Sequence, residues 1–111
     1  MKITDSFNVQ IWCGLRLEYT DRHFSIEDVR RICDKYVNNI GDCVTITSTE
    51  YRYVGGSEDG VMIGYINYPR FPRTNEEILK RAIDLAKLLK KELCQNRVSV
   101  VAPDKTYMLE E

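Results

Sequence analysis

Between Thr74 and Leu93 the residues Ile78, Leu79, Ala82, Ile83, Leu85, Ala86, Leu89 and Leu93 recur at helical spacing, with Lys80, Arg81, Lys87, Lys90 and Lys91 between them. That period predicts a helix with one broad apolar stripe, which has to be covered by another layer of structure. Thr74-Asn75-Glu76-Glu77 reads as a T-x-x-E capping box at its start, and the strong helix formers Leu, Ala, Lys and Glu fill its length. The rest of the chain must supply the surface this helix lies on.

Strands answer that need. From Phe7 to Leu17 apolar residues alternate with Asn8, Gln10, Trp12, Gly14 and Arg16, the period of a half-buried strand, so Trp12 and Arg16 face away from the core. Ser25 caps a second helix, whose stripe of Ile26, Val29, Ile32, Cys33, Tyr36, Val37 and Ile40 ends at Gly41. Cys43–Tyr53, rich in Thr, Val, Ile and Tyr, predicts a second strand, and Val61–Tyr68 a third. Gly55-Gly56-Ser57-Glu58-Asp59-Gly60 between them reads as a polar hairpin loop longer than the two-residue optimum. Pro69 and Pro72 lack the ladder donor and end the sheet near Tyr68. Arg97–Ala102 and Thr106–Leu109 predict two short strands around a Pro103-Asp104-Lys105 turn.

The order strand, helix, strand, strand, helix, strand predicts an α+β, ferredoxin-like βαββαβ fold, an α/β sandwich. Its antiparallel sheet carries both helices on one face and a short extra C-terminal strand. Its 111 residues, 43% hydrophobic, make one domain, residues 1–111. The face opposite the helices is expected to carry Trp12, Gly14, Arg16 and the threonines of the second strand. On the third strand it takes either Val61, Ile63 and Tyr65 or Met62, Gly64 and Ile66. Because Val61–Tyr68 is apolar on both sides, that face predicts a partner, and a second copy of the chain, hence a homo-oligomer, is the simplest one.

Sixteen basic against 17 acidic side chains, a net charge of -1, argue against a dedicated nucleic-acid binder. No run of apolar residues is long enough for a membrane span and no leader pattern opens the chain, so the expected setting is the cytoplasm. Cys13, Cys33, Cys43 and Cys94 form no C-x-x-C pair and read as buried free thiols. His23 is the only histidine. Its Asp-Arg-His loop shows no orienting partner, so neither a metal site nor a cofactor is expected, and no catalytic residue is assigned.

Chemistry concentrates at Tyr68-Pro69-Arg70-Phe71-Pro72-Arg73, where two guanidinium groups and two rings sit on a stiff segment just before a helix start. Arginine forks suit phosphate or carboxylate and rings suit stacking, so a small anionic, nucleotide-like ligand is the expectation. The same residues also read as a strand terminator with a hydrophobic staple. Trp12, Arg16, Tyr68, Arg70, Phe71 and Arg73 are the candidate ligand-binding residues. Tyr51, Arg52, Tyr53, Tyr65 and Asn67 form a weaker aromatic and polar group. With Pro69-Arg70-Phe71-Pro72 before the long helix and Gln95-Asn96-Arg97-Val98-Ser99-Val100 after it, the chain looks like small bacteriophage-type proteins. That resemblance implies an accessory viral protein acting in the host cytoplasm and sequestering a host nucleotide signal, without catalysis. A protein-interaction module, inhibitor or adaptor, using the exposed sheet face is the alternative, as is a small metal-independent enzyme.

Overall fold

The computed structural model describes residues 1–17 and 21–110. Residues 18–20 and 111, and with them the start of the loop read from Tyr19 to Phe24, lie outside the described residues. The elements run β1 (Val9–Gly14), α1 (Ile26–Ile40), β2 (Thr45–Tyr53), β3 (Gly56–Tyr65), α2 (Asn75–Glu92), β4 (Arg97–Val101) and β5 (Thr106–Glu110).

Both helices begin where side-chain oxygens meet orphan amides. Ser25 Oγ accepts from the Asp28 amide while the Asp28 carboxylate accepts from the Ser25 amide, a complete capping box. These bonds hold the Asp28 carboxyl below its usual range, the Ser25 amide contributing most and Arg31 next. Thr74 Oγ1 accepts from the Glu77 amide at 3.2 Å, but the Glu77 carboxylate takes the Thr74 hydroxyl, so the box expected there is made on one side only. Gly41 closes α1 in the left-handed region at φ 71, a conformation glycine adopts without steric cost.

The five antiparallel strands lie in the order β2-β3-β1-β4-β5. Two consequences follow for the faces of the sheet. Val9, Ile11 and Cys13 of β1, Val61, Ile63 and Tyr65 of β3, and Val98 and Val100 of β4 are buried in one core. Val29, Ile32 and Cys33 of α1 and Ala82, Leu85, Ala86 and Leu89 of α2 join that core, and Tyr36 Oη donates to the Arg81 carbonyl across the helix pair. Fully burying an aliphatic side chain contributes about 1.5–3 kcal/mol, so this layer dominates the stability. Among the described residues the opposite face carries no helix. Thr47, Met62, Trp12, Ser99 and Met108 lie side by side in one row across it, which selects the Met62 and Gly64 set of β3 as the outward one.

Three expectations need correction. The first strand is shorter than Phe7–Leu17: beyond Gly14 the chain continues only as an isolated bridge between Arg16 and His23. The predicted loop Gly55–Gly60 is mostly strand, because β3 begins at Gly56 and pairs with Tyr53, leaving Val54 and Gly55 as a tight turn. Gly55 sits at φ 87, as the third residue of such a turn requires, and the remaining glycines and acids continue the ladder. Finally, Cys13 and Cys33 are buried, but Cys43 and Cys94 are exposed, since they fall just outside β2 and α2. No helix among the described residues is long and apolar enough to cross a membrane.

Candidate functional site

Two strands of glycine-spaced sequence shape the open face. Gly14 and Gly60 stand opposite each other on β1 and β3, and their missing side chains leave a flat floor at that end of the sheet. A Cβ on Gly60 would lie 2.2 Å from Tyr51 Cε2, so the Tyr51 ring rests directly on the glycine. The Tyr53 ring covers Gly56 in the same way, 2.9 Å from the position a Cβ would take. Around this floor Trp12, Gly14, Arg16, Tyr51, Tyr53, Glu58, Cys94, Gln95, Asn96, Arg97 and Ser99 line an open cleft of about 530 Å³. That volume falls in the range of small-molecule sites.

Within the cleft Tyr51 and Glu58 are cross-strand partners. Burial, with the Cys13 and Glu58 charges adding to it, pushes the Tyr51 hydroxyl up to about 12, so it stays protonated and donates rather than accepts a proton at neutral pH. Gln95 is anchored by its amide nitrogen, which donates to the Arg16 carbonyl at 2.7 Å and to the Leu93 carbonyl at 2.8 Å. Arg97 reaches Glu110 at 3.7 Å with both side chains largely exposed, a weak pair.

The Tyr68–Arg73 segment lies at the other end of the strands, beyond Tyr65, in a smaller pocket of about 200 Å³ lined by Asp42, Cys43, Asn67, Tyr68, Phe71 and Arg73 among others. Arg73 is committed to its own chain: Nη1 donates to Asp42 Oδ1 at 2.9 Å and Nη2 to the Gly41 carbonyl at 3.2 Å. The Asp42 side chain is only 5% exposed, and Arg81 stands 3.7 Å from its second oxygen. Asn67, buried, ties the segment down by accepting from the Arg73 amide and donating to the Asp5 carbonyl. Arg70 lies over the exposed Phe71 ring at 5.5 Å from its centroid. The Tyr68 hydroxyl faces the Cys43 thiol at 3.7 Å, and this contact, with burial, raises its pKa.

The candidate residues therefore separate. Trp12 and Arg16 share the Gly14 cleft, while Tyr68, Phe71 and Arg73 share the Asp42 pocket with Arg70 on its outer side. Tyr51 and Tyr53 join the first group, Tyr65 and Asn67 the second. Glu58 and Gln95 were missed. Glu58 sits in what composition reads as a turn, and Gln95 comes from a loop whose position depends on how α2 ends. The one available signal was the spacing of Tyr51 and Tyr53 against Gly56 and Gly60, which a hairpin with a two-residue turn brings face to face.

Neither a protein-family model nor a curated protein matches the chain. Among solved structures, a phage SAM lyase in its apo state is similar with a TM-score of 0.81 and 20% identity, over 95% of this chain and 89% of that one. A phage SAM lyase in complex with S-methyl-5′-thioadenosine is similar with a TM-score of 0.82 and 18% identity, over 96% of this chain and 90% of the other. At this identity the likeness is one of fold, spanning nearly the whole of each chain.

Proposed function

We propose that this chain is a phage-type protein that binds an adenosyl sulfonium ligand of the S-adenosylmethionine class in the Gly14 cleft and cleaves it to S-methyl-5′-thioadenosine. The observation that carries the reading is the gathering of three rings, Trp12, Tyr51 and Tyr53, around the Glu58 carboxylate in one cleft. Rings stack on a purine and attract a cation through their faces, and a carboxylate adds the opposite charge, so the adenine and the positive charge of the ligand both find partners. Arg16 and Arg97 at the rim suit the ligand's carboxylate. The fold likeness to lyases, one of them holding the thioether nucleoside, supports the choice of ligand.

The bond to break joins the sulfonium sulfur to the terminal side-chain carbon of the amino acid portion. Its electron pair returns to sulfur, which leaves as a neutral thioether, and the carbon takes a new bond from the substrate's own carboxylate oxygen, closing a lactone. Such a step consumes no water and needs no general base. The cleft's task is to hold the substrate folded upon itself.

Capture without cleavage is the second reading, since the same rings and carboxylate hold the ligand whether or not its bond breaks. The reading takes the first four strands and two helices as a ferredoxin-like βαββαβ unit, with β5 added beside β4. It takes the working form as a homo-oligomer in the host cytoplasm.

Incubating the protein with S-adenosylmethionine and separating the products by chromatography tests it. Thioether nucleoside is expected to accumulate, to fall at least tenfold with Trp12→Ala, and to persist with Arg70→Ala. Substrate retained unchanged on the protein selects capture. Substrate neither bound nor cleaved overturns the adenosyl assignment.

A further inference from the structure

Within the cleft, two acceptor oxygens stand close over Gly14. A Cβ placed on Gly14 would lie 3.0 Å from Glu58 Oε2 and 3.2 Å from Gln95 Oε1. The orientation of Gln95 is fixed, because both donors of its amide are spent on the Arg16 and Leu93 carbonyls, which turns Oε1 toward Glu58. Among the described residues neither the Glu58 carboxylate nor Gln95 Oε1 receives a hydrogen bond, although each is half-buried and Tyr51 lies across the sheet from Glu58. Two acceptors, one of them charged, held side by side without a donor are a preformed receptor for a group that brings several N–H bonds and positive charge. Glycine at position 14 lets both oxygens approach the strand, since a Cβ there would crowd them.

We infer that Glu58 and Gln95 form a subsite for a primary ammonium, the α-amino group of the ligand's amino acid portion. A sulfonium has no N–H to offer two oxygens, so within the adenosyl reading, on which this inference rests, the pair recognises the amino acid end and the rings recognise the nucleoside end. The subsite is therefore the element that separates substrate from the thioether product, which has lost its amine.

S-adenosylhomocysteine, which carries the ammonium but no sulfonium, and S-methyl-5′-thioadenosine, which carries neither, are the probes, with affinities read by isothermal titration calorimetry. The wild type is expected to prefer S-adenosylhomocysteine. Glu58→Gln, which keeps the volume and removes the charge, is expected to weaken that ligand about tenfold while changing thioether nucleoside affinity less than about twofold. Gly14→Ala, which puts a methyl group against both oxygens and pushes them apart, is expected to give the same selective loss, and circular dichroism checks that each variant is folded. The decarboxylated form of S-adenosylhomocysteine, retaining the amine, should follow the same pattern, which sets aside any part played by the carboxylate. Equal losses for both nucleosides, or none for either, overturn the ammonium subsite while leaving the adenosyl reading standing. Failure of the wild type to bind any of the three overturns both.

Discussion

At the scale of single residues, burial decides which acids of this chain keep their protons. Desolvation, with neighbouring Cys33 and Glu58 charges adding to it, pushes the Cys13 thiol up to about 12, and desolvation with the Asp34 charge pushes Cys33 up to about 11. Tyr51 is raised to about 12 and Tyr65 is raised also, again chiefly by burial. An unfolded chain ionises its thiols near 9.0 and its phenols near 10.0, so above those values it sheds protons that the folded chain keeps. The folded state then binds more protons than the unfolded one, and stability falls as pH rises. These groups contribute their full stabilisation below about pH 9 and lose it progressively toward pH 12. The midpoint of urea unfolding is accordingly expected to hold steady to about pH 8.5 and then decline, with a shallower decline in Cys13→Ala. At pH 8 a thiol-specific chromophoric reagent should titrate Cys43 and Cys94 at once, and Cys13 and Cys33 only in denaturant. A flat midpoint to pH 11, or four fast thiols at pH 8, would show the core groups to be wet.

At the scale of elements, the segment between β3 and α2 is a latch before it is anything else. Arg73 spans from that segment to the end of α1, and its loss leaves the almost wholly buried Asp42 carboxylate with the Cys43 amide and, at 3.7 Å, Arg81. Arg73→Ala should therefore cost about 1–3 kcal/mol in urea unfolding, whereas Arg70→Ala, which lifts an exposed guanidinium off an exposed ring, should cost no more than about 0.5 kcal/mol. Equal effects would mean that the Asp42 pair is solvated and holds nothing. From sequence the two arginines are indistinguishable, because what separates them is the distant Asp42. The helices were legible for the opposite reason: Ser25, Thr74 and the stripes they open are local signals, and local signals survive without tertiary context. Trp12 was legible too, since a period of two fixes which side of a strand a residue takes. The first half of β3 was not. Gly56, Glu58, Asp59 and Gly60 have the composition of a turn, and only the pairing of β2 with β3 reveals that Tyr51 and Tyr53 rest on two of those glycines. The candidate cleft lies on that misread stretch, which is why Trp12 was found and Glu58 was not.

At the scale of the whole molecule, the chain exposes more than a free monomer of its size should. A monomer of 13.0 kDa is expected to present about 6,300 Å², and this chain presents 7434 Å². Its radius of gyration is 14.4 Å where about 13 Å is usual for this length, and its longest extent is 47 Å. The excess, roughly 1,100 Å², is of the order that one partner buries in a standard interface. Exposed apolar groups include Met108 at the β5 end of the open-face row, 57% exposed, and Val54 at the hairpin tip, fully so. A second copy laid on that face would cover the row and the mouth of the Gly14 cleft together, because Trp12 belongs to both. Static light scattering on the eluting protein is therefore expected to give a mass of two or more times 13.0 kDa. Met108→Lys is the sharper test, since a lysine at an exposed strand position of a monomer changes stability by no more than about 0.5 kcal/mol. In the homo-oligomer the same lysine is forced against apolar surface, so the mass should fall toward one subunit at low micromolar concentration while circular dichroism stays unchanged. A wild-type mass of one subunit at 100 μM would sink the proposed assembly, and the open face would then owe its apolar row to the ligand cleft alone.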